Sequence, residues 1–327
     1  MNDIKHPMLR RDRPTIDTAP TLRLSVAVAN CLEYGRPSLS VIGDGRVGKS
    51  TAVDILRGAA GWRPFPIGFL RFVCGNPKEH TEAYLIRQFA SGLRLKFPER
   101  SPIQDLSRRI ILAIEEEAAR SDAGVVVVIV DSAEQLSLED YEHLAKVQNE
   151  FQGNVVQPFF LLIHQSDFKA GGADNLARLA PPHIYGRFFV DTHRFTGLRW
   201  HLSEEDALNQ DASDVALALR EYDRMLRWPD PESPTFTEHF APNIFKSGGL
   251  EARAGEIERH VKELCTQAQL AMPMDWQMSS FNGFTFAIFQ MLEGSPDRSE
   301  LSAAMIRTAL QRSAFEGFER ARQRIRA

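Results

Sequence analysis

Hydrophobic and polar positions are arranged in two different patterns in the first two thirds of the chain. Short runs rich in β-branched and aromatic residues predict strands, and the clearest is the run of six Val and Ile residues at 125–130, which ends in Asp131. Such an unbroken run is typical of a central parallel strand that is buried on both faces. Between the runs, apolar residues recur at helical spacing. The predicted strands are 38–42, 67–74, 124–131, 158–164 and 188–191, the predicted helices among them are 21–34, 50–57, 79–95, 103–119 and 138–151, and four further helices follow at 212–226, 249–271, 285–292 and 300–324.

The alternation of strands and helices predicts an α/β fold, with a parallel sheet between two helical layers. This alternation ends near Arg199, and the rest of the chain is predicted to be mainly helical. The segment 228–234 has three prolines in seven residues, which predicts a rigid linker. We therefore expect an N-terminal arm and helix at 1–37, an α/β core at 38–200 and a helical lid or C-terminal region at 201–327.

The composition narrows the class of protein and its compartment. The 327 residues are 43% hydrophobic and 25% charged, which is ordinary for a globular protein. A net charge of −4 provides no general attraction for nucleic acid, so any such contact must come from local patches or from an oligomer. The longest apolar run is too short to span a bilayer, and we detect no secretion signal. Three widely separated cysteines argue against structural zinc and disulfides, so we expect a cytoplasmic protein without a membrane partner.

The glycine-rich segment at 43–50 carries the strongest chemical signal in the sequence. It fits the pattern G-x-x-x-x-G-K-[ST], and it lies between a predicted strand and a predicted helix, as that motif requires. Backbone amides of such a loop surround phosphates, Lys49 reaches the β- and γ-phosphates, and Ser50 binds Mg²⁺. We expect ATP and Mg²⁺ as cofactors. The predicted nucleotide-binding residues are Gly43, Asp44, Gly45, Arg46, Val47, Gly48, Lys49, Ser50 and Thr51.

A carboxylate for the metal is predicted at the end of the strongest strand. Asp131 is expected to hold the Mg²⁺ shell together with Ser50. The strand at 67–74 lies between the two motif strands in the chain, which fits the P-loop ATPases that activate water with a glutamate next to this Asp. Here the next residue is Ser132, and the nearest acid is Glu134. Either Glu134 acts as the general base, or hydrolysis is slow and the protein is an ATP-dependent switch.

Four stretches in order resemble a known family. They are IGDGRVGKS, VDSAEQLSLEDYEHLAKVQNEF, FFLLIHQ and YGRFFVDTHRFTGL, which together extend over roughly residues 40–200. They are similar to the AAA+ regulators of DNA transposition of the TniB/TnsC group, which is related to IstB and MuB. Those proteins often have D-E-A-Q-x-L where this chain has Asp131-Ser-Ala-Glu-Gln-Leu.

The resemblance implies an ATPase that forms rings or helical filaments on double-stranded DNA without sequence preference. Such an assembly marks the target, recruits a transposase, works with a target-selection protein and is dismantled by hydrolysis. Carried over to this chain, Gln165 is a sensor of the γ-phosphate, Arg187 is an arginine finger for the neighbouring subunit, and Arg253 is a lid arginine that touches the nucleotide. Lys78 and Thr81 fall where the family contacts DNA, and phosphate contacts of this kind position a protein without reading sequence.

Two other functions are compatible with the same residues. One is a signalling or defence ATPase in which the P-loop is a switch without a DNA role, and the other is an AAA+ protein of the helicase-loader type. Individual residues also have ordinary alternatives: Arg187 as a surface ion-pair partner, and Thr81 as a helix cap in a solvated loop.

Overall fold

A computed structural model describes residues 6–76, 80–166, 173–204, 210–294 and 300–326. The chain divides into two compact units. The sheet unit consists of Arg23–Gly45 and Lys49–Phe195, and the helical unit of Met1–Leu22, Arg46–Gly48 and Thr196–Ala327.

The sheet unit is built around five parallel strands in the order β2-β3-β4-β1-β5, and helices flank the sheet and connect its strands. Because the strands are parallel, their carboxyl ends lie along one edge of the sheet. The predicted three-layer α/β fold is confirmed. The strands are β1 (Ser38–Gly43), β2 (Ile67–Val73), β3 (Val125–Asp131), β4 (Gln157–Gln165) and β5 (Thr192–Arg194), and the helices are α1 (Ala19–Glu33), α2 (Lys49–Gly58), α3 (Glu82–Gly92), α4 (Ile103–Arg120), α5 (Leu138–Glu150), α6 (Ala173–Leu179) and α7 (Pro182–Phe188).

The position of β2 in the sheet differs from its position in the chain. In the sheet, the strand between β1 and β3 is β4, while β2 is at the edge beyond β3. Both neighbours of β3 are therefore strands, which explains why its central residues are fully buried and why the sequence there is so uniformly apolar. Helix α4 adds one apolar stripe, with Leu106, Ile110 and Ile114 buried one turn apart.

The helical unit has a separate hydrophobic core that includes Trp276, Phe281 and Phe284. Two residues of the N-terminal segment, Met8 and Ile16, are buried in the same core. The arm predicted at the start of the chain therefore packs apolar side chains into the helical unit. The elements are β6 (Leu198–Arg199), α8 (Asp214–Arg224), α9 (Phe236–Phe240), α10 (Pro242–Lys246), α11 (Ala254–Gln267), β7 (Asp275–Trp276), α12 (Met278–Glu293), α13 (Ala303–Arg312) and α14 (Phe315–Arg326), and β6 pairs with β7 in antiparallel fashion.

The strand predicted at 188–191 is wrong. Its aromatic and β-branched residues suggested a strand, but Pro182 starts helix α7, since proline suits the first turn of a helix, and this helix continues to Phe188. The fifth strand, β5, follows a few residues later. The single helix predicted at 300–324 is two helices, because Ala314 adopts a left-handed backbone with φ of 55° and ends the first of them.

The proline-rich segment 228–234 forms a loop within the helical unit, closed by contacts between its two ends. Its flanking residues Arg227 and Thr235 form an antiparallel bridge, and the Arg227 guanidinium donates to the Ser233 carbonyl at 2.8 Å. The predicted linker therefore lies within the helical unit. The division at 37/38 and 200/201 stays a proposal. Within the described ranges, we find no helix with both the length and the apolar character that crossing a membrane requires.

Candidate nucleotide-binding site

The loop 43–50 joins the carboxyl end of β1 to the first turn of α2. Position 43 has no room for any residue larger than glycine, because a Cβ there would come within 2.3 Å of the Phe195 carbonyl oxygen. Arg46 and Gly48 have φ of 65° and 107°, so the backbone twice enters the left-handed region. Such alternation turns successive amides toward one side and makes an anion-binding concavity. The helix that follows adds the partial positive charge of its amino end.

Lys49 lies inside the curve of this loop. Its side chain is buried, and Nζ donates to the carbonyl oxygens of Gly43 at 2.6 Å and Asp44 at 2.7 Å. These two carbonyl groups hold the ammonium group at the mouth of the loop. Beneath it, burial and the charge of Lys49 lower the pKa of His164 from 6.5 to about 3, so this imidazole is neutral at physiological pH.

The middle of the loop belongs to the helical unit, where the ends of two helices hold it. The amide of Ser279 donates to the Arg46 carbonyl at 3.3 Å, and the Arg46 guanidinium lies 4.7 Å from the ring centre of Phe318. A Cβ on Gly48 would come within 3.0 Å of Met278. Sequence analysis missed these contacts, because no local pattern connects residues more than 200 positions apart.

Gln165 lies beside the start of the loop. In the register of β4 with β1 it pairs with Gly43, and the next amide, of Ser166, donates to the Gly43 carbonyl at 3.0 Å. The backbone amide of Gln165 donates to Oε2 of Glu134 at 3.0 Å. Glu134 is buried in a short 3-10 turn after β3. The structure therefore brings Glu134, Gln165 and Gly43 together at one edge of the sheet.

Asp131 ends β3 at the same edge, and it has a cationic partner that the sequence analysis missed. The guanidinium of Arg71, on the neighbouring strand β2, donates to Oδ2 of Asp131 and also to Oδ1 of Asp54 on α2, the latter at 2.9 Å. Asp131 pairs with Val73 in the sheet, so Arg71, two residues earlier, has its side chain on the same face. Predicting this contact needs the strand register, which sequence alone does not provide. Ser132 follows with a left-handed φ of 59°.

The residues at this edge fit a nucleoside triphosphate with Mg²⁺. The fit rests on the tight approach at Gly43, on the buried Lys49, and on Ser50 and Thr51, which are exposed in the first turn of α2. In the described part of the chain, no group of three or more His, Cys, Asp or Glu side chains forms a metal site by itself. This agrees with the ordinary behaviour of Mg²⁺, which takes one or two protein ligands and completes its shell with phosphate and water.

Arg187 lies at the other end of β1. Its guanidinium donates to the Ala145 carbonyl at 3.0 Å and to Oδ1 of Asn149 at 2.8 Å, both on α5. Its own carbonyl accepts from Ser38, the first residue of β1, whereas the glycine loop follows the last residue of that strand. A six-residue strand separates these ends by roughly 16 Å. Any contact of Arg187 with a nucleotide phosphate is therefore a contact with another chain's site.

The remaining predicted residues are placed as follows. Arg253 is in the helical unit, where its guanidinium donates to the Ser247 hydroxyl at 2.7 Å. Thr81 caps α3, since its hydroxyl accepts from the Tyr84 amide at 3.2 Å. Thr81 itself is exposed. Lys78 lies outside the described residues. The roles predicted for these three residues stay predictions.

Comparisons with known proteins agree with this description. The sequence profile of the AAA domain family matches residues 32–168. No curated protein matches the chain in sequence. Among solved structures, the chain is similar to the Aeropyrum pernix ORC1 protein in complex with DNA, with 13% identity over 92% of this chain and 67% of that one and a TM-score of 0.45. It is also similar to Cdc6p from Pyrobaculum aerophilum, with 12% identity over 97% and 85% of the two chains and a TM-score of 0.40.

A third similar structure is a Walker-type ATPase of Pyrococcus abyssi, with 13% identity over 96% of this chain and 92% of that chain and a TM-score of 0.38. Identities and TM-scores of this size assign no function. The strand order β2-β3-β4-β1-β5 and the loop at 43–50 show the AAA+ type of P-loop α/β fold, and the AAA domain profile matches residues 32–168 of it.

Proposed function

We propose that this protein is an ATP-dependent regulator of DNA transposition, which binds ATP with Mg²⁺, oligomerises on double-stranded DNA and recruits a transposase. The observation that carries the nucleotide part is the meeting of Gly43, Asp131, Glu134 and Gln165 at one edge of the sheet, where the loop 43–50 begins. The transposition part is supported by the four stretches that resemble the TniB/TnsC group, above all the block that begins at Asp131.

The residues of the loop bind the nucleotide in this proposal. Lys49 exchanges the two carbonyl groups that it now contacts for phosphate oxygens, a charge-assisted and therefore stronger pairing. Ser50 and Asp131 hold Mg²⁺, which neutralises the charge on the phosphates. Glu134 positions the attacking water and accepts its proton, and Gln165 reports the presence of the terminal phosphate. Arg253 is a further nucleotide contact in this proposal.

Assembly completes the site. Because Arg187 is at the opposite end of β1 from its own loop, it serves as a finger for the next subunit, where it stabilises charge in the transition state. Hydrolysis then requires neighbours, and it resets the oligomer. Ring and helical filament are both compatible with this arrangement.

The DNA contact is directed at phosphates. The chain has a net charge of −4, so the positive residues that meet DNA must be repeated by the oligomer, with Thr81 and Lys78 contributing from each subunit. Such binding has no sequence preference and is strongly salt-dependent. Between about 50 and 200 mM salt, we expect affinity for long duplex DNA to fall on the order of 1,000-fold. Binding that is insensitive to salt would contradict a backbone-only contact.

The experiment is imaging by negative-stain electron microscopy. The protein is mixed with a slowly hydrolysed ATP analogue, with and without long duplex DNA, and Lys49→Ala is the matched sample that lacks nucleotide binding. We expect rings or filaments on DNA only with the wild-type protein and nucleotide. Assemblies that form with nucleotide but ignore DNA would replace the proposal with a signalling or defence switch. Absence of any nucleotide-dependent assembly would remove it.

A further inference from the structure

Asp131, the carboxylate predicted to bind Mg²⁺, forms an ion pair with Arg71 of the same chain. Arg71 reaches Asp131 from β2 and at the same time donates to Asp54 on α2 at 2.9 Å. The side chains of Arg71 and Asp131 are 25% and 15% exposed, whereas that of Asp54 is 54% exposed. The arginine thus connects a protected carboxylate with one that water screens well.

Both carboxylate oxygens of Asp131 are engaged. Oδ2 accepts from Arg71, and Oδ1 accepts from the amide of Ser132 at 3.0 Å. A cation on this carboxylate neutralises the charge that a divalent metal would seek, and it repels the metal as well. The other end of the bridge is close to the predicted metal ligands, because Asp54 is four residues after Ser50 in α2 and so lies on the same helix face.

We propose that Arg71 and Mg²⁺ compete for Asp131, so that Arg71 is a positioning residue that makes metal entry depend on bound nucleotide. This inference rests on the proposed function, because it concerns the metal of the same site. In the absence of phosphates, Arg71 is the counter-ion of Asp131. When metal arrives with nucleotide, Arg71 releases Oδ2 and keeps Asp54, which it already contacts.

The arrangement explains why a Walker-type aspartate is paired with an arginine. A guanidinium–carboxylate pair is a strong interaction when it is shielded from water, so Mg²⁺ alone does not displace it. Metal that arrives together with the phosphates does displace Arg71 from Asp131. The site is thereby kept free of metal until the triphosphate is present, and Asp131 is never left without a cation.

The test measures the dissociation constant of a fluorescent, non-hydrolysable ATP analogue twice, once in EDTA and once in saturating Mg²⁺. The ratio of the two constants reports how strongly metal and nucleotide binding are coupled. In Arg71→Gln, metal can bind Asp131 before nucleotide arrives, so we expect this ratio to fall about 10-fold, the factor that corresponds to about 1.4 kcal/mol. The constant in EDTA is expected to stay within about three-fold of the wild-type value, since Arg71 does not contact phosphate.

Three further variants assign the effect to the pair. Arg57→Gln removes another cation that approaches Asp54, at 3.5 Å, without a recorded contact to Asp131, and it should leave the ratio within about two-fold. In an Asp131→Asn background, Arg71→Gln should also have no effect, because a double-mutant cycle removes the interaction only once. Arg71→Lys, which keeps the charge, should restore the wild-type ratio, and it guards against a change that is merely structural.

The outcomes separate this inference from the function on which it rests. If the wild-type protein fails to bind the analogue in either buffer, the proposed function falls. If binding is normal and Arg71→Gln leaves the ratio unchanged or raises it, competition at Asp131 is wrong while the function stands. If Arg71→Gln weakens binding in EDTA far more than Arg57→Gln does, Arg71 is a phosphate ligand instead.

Discussion

The two ends of strand β1 differ in what they hold. At the carboxyl end, the chain places a buried lysine, a buried glutamate and left-handed backbone at Arg46 and Ser132. At the amino end, Arg187 makes ordinary hydrogen bonds to α5. Buried charge and left-handed backbone at non-glycine residues are costly, and their concentration at this end supports the proposed nucleotide site. In the proposed function, the carboxyl end acts within one chain, whereas the amino end acts only when a second chain is present.

The largest effect is expected at the carboxyl end, from Lys49→Ala. Loss of the ammonium group leaves the triphosphate without its charge-assisted partner, so we expect nucleotide affinity to fall at least about 100-fold, and hydrolysis and assembly to be lost with it. Isothermal titration calorimetry with ATP and Mg²⁺ measures this. A change of less than three-fold would show that the loop is not the binding site.

Arg187→Ala sharpens the comparison from the other end. We expect hydrolysis in assemblies to fall about 1,000-fold while nucleotide binding by the isolated chain is unchanged, because a finger acts on the transition state of a neighbour. Steady-state ATPase assays and binding titrations measure the two quantities. Arg109→Ala is the control, since it removes an exposed arginine of α4 that bonds only the Lys96 carbonyl among its recorded partners. Equal turnover in both variants would rule out the finger.

Glu134→Gln tests whether the buried acid performs chemistry or only holds β4. Glutamine retains an oxygen that can accept from the Gln165 amide, so the fold should survive. We expect turnover to fall about 100-fold, the lower range for loss of a general base, with nucleotide affinity unchanged. Wild-type turnover would instead favour a switch whose hydrolysis does not use this residue.

The smallest effect concerns His164 and stability. Its pKa is about 3 in the folded protein and 6.5 in the unfolded chain, so the unfolded chain binds more protons between these values. The free energy of unfolding is therefore full above pH 6.5 and decreases as the pH falls toward 3. At pH 5 this histidine costs about 2 kcal/mol, and His164→Gln should remove that part of the acid sensitivity in denaturant titrations. An unchanged pH profile would contradict the burial argument.

The sequence predicted the elements whose signals are local. The loop at 43–50 was found because its motif lies within eight residues, and β3 was found because a central strand with both faces covered has only apolar residues in its interior. These two signals are enough to predict the P-loop fold.

The rest depends on contacts between distant residues. Arg71 was missed because its partner Asp131 is 60 positions away, and the burial of Met8 was missed because its partners are in the C-terminal helices. At 188–191, the strand-like composition was overridden by the helix that starts at Pro182 and by the burial of Phe188 and Phe189. Tertiary packing decided each of these cases, and no local pattern contains it.

A mixing experiment tests the shared site most directly. Asp131→Asn keeps Arg187 but loses the metal ligand, whereas Arg187→Ala keeps an intact loop and lacks the finger. Each variant alone should hydrolyse ATP at a background rate. A one-to-one mixture should recover about one quarter of the wild-type rate, since half of the sites are intact and half of their neighbours donate Arg187. A mixture no more active than its parts would contradict a nucleotide site completed by the next subunit.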